Sequence, residues 1–533
     1  MTHDSLGGNE LTAAGVGRPA NSLLDQATSG LAWTTMGTIV QAVMQLLVLG
    51  LLARLLEPSE FGLITATLLV VGMLDLFSRL GIGPAIVQRA DLTDEHQRTG
   101  FALSLYTGAA LAVTLLLAAP FLASVLRLPE LTPLMRAMSA VFVIQAPATV
   151  AASLLVKELR FRTTALVAVT SFTLGYGLVG VVAALAGMGA WSLVIAQLAQ
   201  TALRTTLFLM IRRHPRAIRI RLQEARELLY FGIGFTASRV GNYAAGQGDY
   251  FVVARWMDAT ALGVYGRAYQ LMAMPATFVG QILDRVLFPV MARMQDSRAR
   301  LGRAYRNGTA AVSLMVLPIS GVAVLLAPEL VAVLLGDQWD DVVPIFRILG
   351  VGLLFRTSYK ISDSLSRATG RVYARAWRQV IYAALVFGGA FWGREWGLNG
   401  VAVGVFIAIA VNFFLMAHLS MKITGLSLGV VVGSHGRGLP LGALATVVAA
   451  GGTVGLRALN TPSFVTLIVA GTLAVLAMGG AIWAAPGPML GTEGQWLRTQ
   501  LGVSIKSTRN RKGNNARQEP LEDGVAAVRP DER

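Results

Sequence analysis

The chain has 533 residues, 54% of them hydrophobic and 14% charged, with a mean hydropathy of +0.60. Soluble domains carry about 25% charged residues, so this composition excludes a water-soluble globule and points to an all-α polytopic membrane protein. The net charge is +16 and cysteine is absent, which removes disulfides, thiolate metal sites and cysteine nucleophiles.

Residues 1–27 are small and polar and read as a cytoplasmic tail. Met1 to Glu10 holds no Lys or Arg, so the first spanning helix, and not a cleaved signal peptide, is expected to direct insertion. Apolar runs follow, each long enough to cross a ~30 Å hydrocarbon core. Six are expected at 28–53, 61–87, 99–126, 131–156, 163–187 and 190–211, forming an N-terminal six-helix lobe over 28–211. Residues 212–226 read as a basic cytoplasmic linker. The second six-helix lobe, 227–421, holds spans at 227–255, 261–291, 306–335, 342–368, 376–393 and 397–421. Two extra transmembrane helices within 438–485, at 438–457 and 463–485, bring the total to about fourteen. Residues 486–533 lose the apolar character and read as a disordered basic cytoplasmic tail. The stretch Gly81-Ile82-Gly83-Pro84 and the prolines Pro275, Pro289 and Pro318 are expected to bend or break their helices.

Lys and Arg concentrate in the connections after the even-numbered spans, above all in Arg212, Arg213, Arg216, Arg219, Arg221 and Arg226. The opposite connections are acidic, as at Asp337, Asp340 and Asp341. By the positive-inside rule both termini face the cytoplasm. This asymmetry accounts for the net charge without nucleic acid as a partner, and membrane lipids are the natural counterpart of the arginines.

The chain is written twice. Ala53-Arg54-Leu55-Leu56-Glu57-Pro58-Ser59-Glu60-Phe61-Gly62 returns about 200 residues later as Ala254-Arg255-Trp256-Met257-Asp258-Ala259-Thr260-Ala261-Leu262-Gly263. Pro133 to Arg136 is echoed by Pro344 to Arg347, and Gly189 by Gly400. An even number of spans per unit makes these parallel repeats, and a transporter built so places its substrate at the seam between them.

Charges within spans are expensive, about 2.5–3.5 kcal/mol each on insertion scales, and mark functional positions. Arg79, Arg239, Arg356, Lys360 and Arg204 fall at depths where a water-filled cationic cavity would hold a phosphate-bearing anion. Asp75, Asp249 and Asp363 are coupling or charge-pair candidates: Asp75 with Arg79 and Lys360 with Asp363 stand at self-neutralising helical spacing, and Asp249 suits either ion coupling or an interhelical pair. Arg54 and Arg255, at the repeated turns, read as an outer gate or as snorkelling anchors. Trp33, Trp191, Trp256, Trp339, Trp377, Trp392 and Trp396 read as an interfacial belt. The five histidines are scattered and suggest no metal site. No phosphate-binding loop of the ATPase type occurs, so energy would come from H+ or Na+ coupling, membrane potential or the substrate gradient, and no cofactor is expected.

Over residues 28–485 the sequence resembles the polysaccharide transporter family, the O-antigen and exopolysaccharide flippases of the multidrug, oligosaccharidyl-lipid and polysaccharide exporter superfamily. The resemblance is carried by the runs Leu52 to Gly62, Asp249 to Met257, Leu262 to Tyr265, Phe288-Pro289 and Gly187 to Trp191. It implies a non-enzymatic flippase in the bacterial inner membrane. Such a protein moves polyprenyl-diphosphate-linked oligosaccharide outward by alternating access of two lobes, with a polysaccharide polymerase and glycosyltransferases as partners. Alternatives within the superfamily are a peptidoglycan-precursor flippase and a cation-coupled multidrug exporter. Outside it stand a polysaccharide polymerase or ligase and a non-transporting scaffold.

Overall fold

The computed structural model describes residues 20–78, 81–215 and 217–485. Most of the expected N-terminal tail and all of 486–533 lie outside the described residues. The described chain is built of helices, and their order follows the expected spans. α1 (Ala20–Leu55) and α2 (Pro58–Ser78) meet at a tight turn, and α3 (Ile82–Gln88) completes the second span. The third span is α4 (Asp94–Leu126). The fourth is assembled from α5 (Leu131–Met138), α6 (Ala140–Gln145) and α7 (Ala148–Lys157). α8 (Phe161–Thr170) passes through a π-helical stretch at Ser171–Leu178 into α9 (Val179–Leu185), and α10 (Ala190–Ile211) ends the first half.

The second half repeats the plan. α11 (Leu222–Trp256) and α12 (Ala259–Ala292) again meet at a short turn, followed by α13 (Arg298–Leu325) and α14 (Ala327–Leu334). α15 (Val342–Val351) and α16 (Leu353–Ala368) form a broken span, and α17 (Val372–Gly393) and α18 (Gly397–Thr424) flank a 3-10 turn at Arg394–Trp396. A short α19 (Leu428–Gly436) leads to α20 (Leu439–Ala458) and α21 (Ser463–Ala484).

Local chemistry explains the ends and breaks. Pro58 opens α2, where its missing N–H costs nothing. Thr93 caps α4 by accepting the His96 backbone N–H in a capping box. The expected break at Gly81 occurs: its φ of 64° is a left-handed value that favours glycine, and α3 starts there. Pro147 marks a 52° bend ahead of α7, and Gly352 a 45° bend between α15 and α16. Pro275, Pro289 and Pro318, expected to bend or break their helices, do not break them, because α12 and α13 run on through them. Membrane helices tolerate proline where neighbouring groups take over the freed carbonyl.

Nine helices among the described residues are long and apolar enough to cross a membrane, and the two bent pairs raise this to eleven. The stretch Val372–Thr424 is a hairpin of α17 and α18 and holds two of the expected spans. Backbone meets backbone where Gly389 faces Gly404 and Gly393 faces Gly400. Two small residues four apart on each helix permit that approach. With α11 and α12, this is consistent with the fourteen expected spans.

The helices pack as two compact units. The first holds the described chain through Tyr269 together with Val331–Ile345 and Tyr382–Val405. Its interior includes Ile82, Ile86, Phe101, Val150, Leu154 and Leu228. The second holds Gln270–Leu330, Phe346–Ile381 and the described chain from Phe406. There the two extra helices join by small residues, Ala445 and Ala449 against Ala474. α20 lies on α13, with Gly442 against Leu317 and Gly438 against Ser313. The ion pair from Arg457 to Glu329, at 2.7 Å, ties the far end of α20 to α14.

Candidate substrate-binding site

α16 is the most polar of the membrane helices, because one of its faces is charged and another is lined with hydroxyls. Arg356, Lys360, Asp363 and Arg367 recur at intervals of three and four, which stacks them along one stripe. Thr357, Ser358, Ser362, Ser364 and Ser366 are buried against neighbouring helices. Four of these hydroxyls have partners, among them Thr357, which donates to the Leu353 carbonyl at 2.8 Å, and Ser362, which meets the Tyr305 hydroxyl at 3.1 Å; the buried Ser358 hydroxyl has none among the described residues.

Along this stripe the charges divide. Asp363 does not pair with Lys360, as its spacing allowed; it accepts Arg367 Nε at 3.0 Å and also Arg375 of α17. Arg367 continues to Asp284 of α12, which accepts the Ser364 hydroxyl at 2.7 Å. Two arginines and two carboxylates thus tie the ends of three helices together. One turn further along, Tyr359 lies between two cations: the Arg356 guanidinium is 5.8 Å from its ring centre and the Lys360 ammonium 5.0 Å. The Lys360 alkyl chain passes over Gly280 of α12. Among the described residues Lys360 has no carboxylate partner.

In the first unit the expected residues are placed separately. Asp75 accepts the Ser78 hydroxyl and the Gln145 amide, both at 2.8 Å. Arg79, the arginine expected beside it, lies outside the described residues, as does the side chain of Arg239. Asp249 is 1% exposed and accepts the Tyr265 hydroxyl at 2.6 Å. Tyr250 and Tyr269 close around Tyr265 with ring centres 5.5 and 6.1 Å away. Arg204 is exposed on α10 and lies over the Phe208 ring at 5.6 Å.

The repeated turns meet in the first unit. A methyl group added at Gly62 would overlap the Ala259 carbonyl oxygen, and one added at Gly263 would overlap the Pro58 carbonyl oxygen. Pro58 and Gly62 correspond to Ala259 and Gly263 in the repeat, so the crossing is reciprocal. Arg54 donates to the Val333 carbonyl at 2.8 Å, while its counterpart Arg255 leans on Trp256 at 5.5 Å. Trp339 departs from the expected interfacial belt. Fully buried, it donates its indole N–H to the Ala53 carbonyl at 2.8 Å and meets Phe61 edge-on at 5.3 Å. Gln338 donates to Ala53 and Leu56 carbonyls beside it.

Sequence reasoning missed the partners Gln145, Tyr265, Arg367 and Arg375, and the seat of Trp339. The i,i+4 spacing of Asp363 and Arg367 was the one signal available for any of them.

Broken membrane helices, a twofold repeat and intramembrane charges define a helical transporter fold. The chain belongs to the family described as "Polysaccharide biosynthesis protein", whose model matches residues 51–344. It is similar to "Lipopolysaccharide biosynthesis protein WzxC" of Escherichia coli (strain K12), 26% identical over 75% of this chain and 82% of that one. It is also similar to "Succinoglycan biosynthesis transport protein ExoT" of Rhizobium meliloti (strain 1021), 28% identical over 69% of this chain and 74% of that one. Its fold is that of a solved "Lipid II flippase MurJ, inward closed conformation". The TM-score is 0.66 at 12% identity, covering 84% of this chain and 98% of the other.

Proposed function

We propose that this chain is a flippase that carries polyprenyl-diphosphate-linked oligosaccharide across the bacterial inner membrane for surface polysaccharide biosynthesis. The observation that carries this reading is the stripe on α16, where Arg356 and Lys360 both lie against Tyr359 and Lys360 has no carboxylate partner among the described residues. A diphosphate offers many acceptor oxygens, which guanidinium binds as a fork and ammonium as a point charge. Tyr359 presents an aromatic surface between them. Arg79, Arg204 and Arg239 stay candidates for anion binding on their depth and charge in the sequence.

Both termini and the basic connections are placed in the cytoplasm, following the distribution of arginine. The paired turns at Gly62 and Gly263 then lie on the outer side and act as the gate that must part for release. Trp339, Gln338 and Arg54 hold it shut. Asp75 and Asp249 are the carboxylates on which H+ or Na+ coupling would act, and no enzymatic step is required. A polymerase and glycosyltransferases would consume and supply the substrate.

The test replaces Arg356 and Lys360 together by alanine in a strain whose surface polysaccharide depends on this protein. Surface polysaccharide should fall at least about tenfold at equal protein level, since each charge-assisted contact contributes about 1.5–3 kcal/mol. Undiminished polysaccharide would remove the site. Liposomes carrying the purified protein and a labelled lipid-linked sugar distinguish a flippase from a polymerase or scaffold. A protein that never shifts the label between leaflets is not the flippase.

A further inference from the structure

At the turn end of the first unit, the last helical turn of α11 meets the hairpin between α17 and α18, and two cations converge on one indole. The Arg255 guanidinium stands 5.5 Å from the Trp256 ring centre and that of Arg394 5.2 Å. Arg394 also stacks on Phe391 at 3.8 Å, and Phe391 meets Trp256 edge-on at 5.2 Å. Like charges held on the same ring repel unless an anion joins them. Two carboxylates lie nearby in the chain, and neither fills that place. Asp258 is engaged in accepting the Ala261 backbone N–H at 2.6 Å. Glu395 reaches only Arg394 Nε, at 3.1 Å, with its side chain 66% exposed. Nη1 of Arg255 and Nη1 of Arg394 are both buried and have no hydrogen-bond partner among the described residues. Buried donors of charged groups are ordinarily satisfied, so these two guanidinium groups call for an acceptor-rich anion beside them.

The surroundings restrict the anion further. Trp256, Phe387 and Trp392 are 38%, 40% and 72% exposed and continue as apolar surface down α17. A free ion would leave that surface unused, whereas an amphiphile would cover it.

We propose that Arg255 and Arg394 form a binding site for a lipid-borne phosphate, with the head between the guanidinium groups and the chain along Trp256 and Phe387. The site is separate from the α16 stripe, and it stands whether or not that stripe binds the transported substrate. Its phosphate could come from a bulk phospholipid or from a polyprenyl diphosphate, since both present the same oxygens.

The full-length protein in phosphatidylcholine nanodiscs is titrated with phosphatidylglycerol, with polyprenyl diphosphate and with inorganic pyrophosphate, and the bound species are counted by native mass spectrometry. Arg255→Gln with Arg394→Gln should weaken retention of the lipid phosphates about tenfold or more. Glu395→Gln, at an exposed position, should strengthen it by freeing Arg394 Nε. Equal retention of the two lipids identifies phospholipid as the occupant, and preference for the diphosphate identifies the polyprenyl carrier; either supports the site. Unchanged retention in the double variant overturns it, as does pyrophosphate binding as tightly as the lipids. If the double variant does not fold, Glu395→Gln decides alone, and no gain in retention overturns the proposal.

Discussion

Asp363 and Lys360 are neighbours on one helical stripe with opposite duties. Asp363 is nearly buried between Arg367 and Arg375, so its loss takes from Arg375 its counter-charge among the described residues, while Arg367 keeps Asp284. Breaking a fully buried ion pair costs about 3–5 kcal/mol; here Arg367 and Arg375 side chains are 34% and 21% exposed, which reduces the expected cost to about 1–3 kcal/mol after solvent screening. Asp363→Asn should therefore lower the melting temperature of the detergent-solubilised protein. Lys360→Gln should leave melting nearly unchanged while abolishing most transport, because no carboxylate among the described residues depends on it. A Lys360→Gln protein that melts early but transports normally would reverse these roles. Trp339→Phe gives a third case at this scale. The ring still fills most of the site against Phe61, and the Ala53 carbonyl loses one donor but keeps the Gln338 amide, at a cost of about 0.5–1.5 kcal/mol.

These residues also show what a sequence can and cannot reveal. Arg356, Lys360 and Asp363 are legible because a charge in an apolar run is conspicuous and its depth can be counted. Their pairing is not legible, since Arg367 and Lys360 both stand within reach of Asp363 by spacing, and Arg375 arrives from another helix. Trp339 fails for a different reason. Near a span end a tryptophan suits the water interface, and only tertiary contact with Ala53 and Phe61 turns it inward.

At the scale of elements, glycine separates into two kinds. Gly62 and Gly263 face backbone carbonyls across a helix crossing, and no rotamer change makes room for a methyl group. Overpacking of this sort costs about 1–3 kcal/mol, so Gly62→Ala and Gly263→Ala should each lower stability by that order in thermal melts. Gly451, inside α20, has nothing within 4 Å of where its Cβ would lie. Gly451→Ala should be neutral or stabilising by up to about 1 kcal/mol, because alanine is the better helix former. Similar losses at Gly62 and Gly451 would mean that the crossing is loose. The repeat itself is plain in the sequence, yet nothing in it marks Gly62 and Gly263 as points where two main chains meet. Closeness of two main chains leaves no compositional mark beyond a missing side chain. Fold class was legible for the opposite reason, since apolar length alone identifies a membrane helix.

At the scale of the molecule, the absence of cysteine gives a clean background for cross-linking. Cysteines introduced at Ser59 and Thr260, beside the two glycines, can be joined by a short reducible bifunctional reagent. Joined protein should be inactive in the liposome assay and regain activity on reduction. Full activity while joined would show that the turns need not separate.

The reciprocal crossing has a mechanical consequence. Its contact is made by main chains, which cannot follow one another by changing rotamer as long side chains do. Dispersion attraction weakens steeply with distance, and a gap of about 0.5–1 Å already forfeits a quarter to a half of it. Two rods touching through Gly62 and Gly263 should therefore behave as a snap fastener: shut or sprung, with little dwell between, and leak-tight to small ions until the moment it lets go.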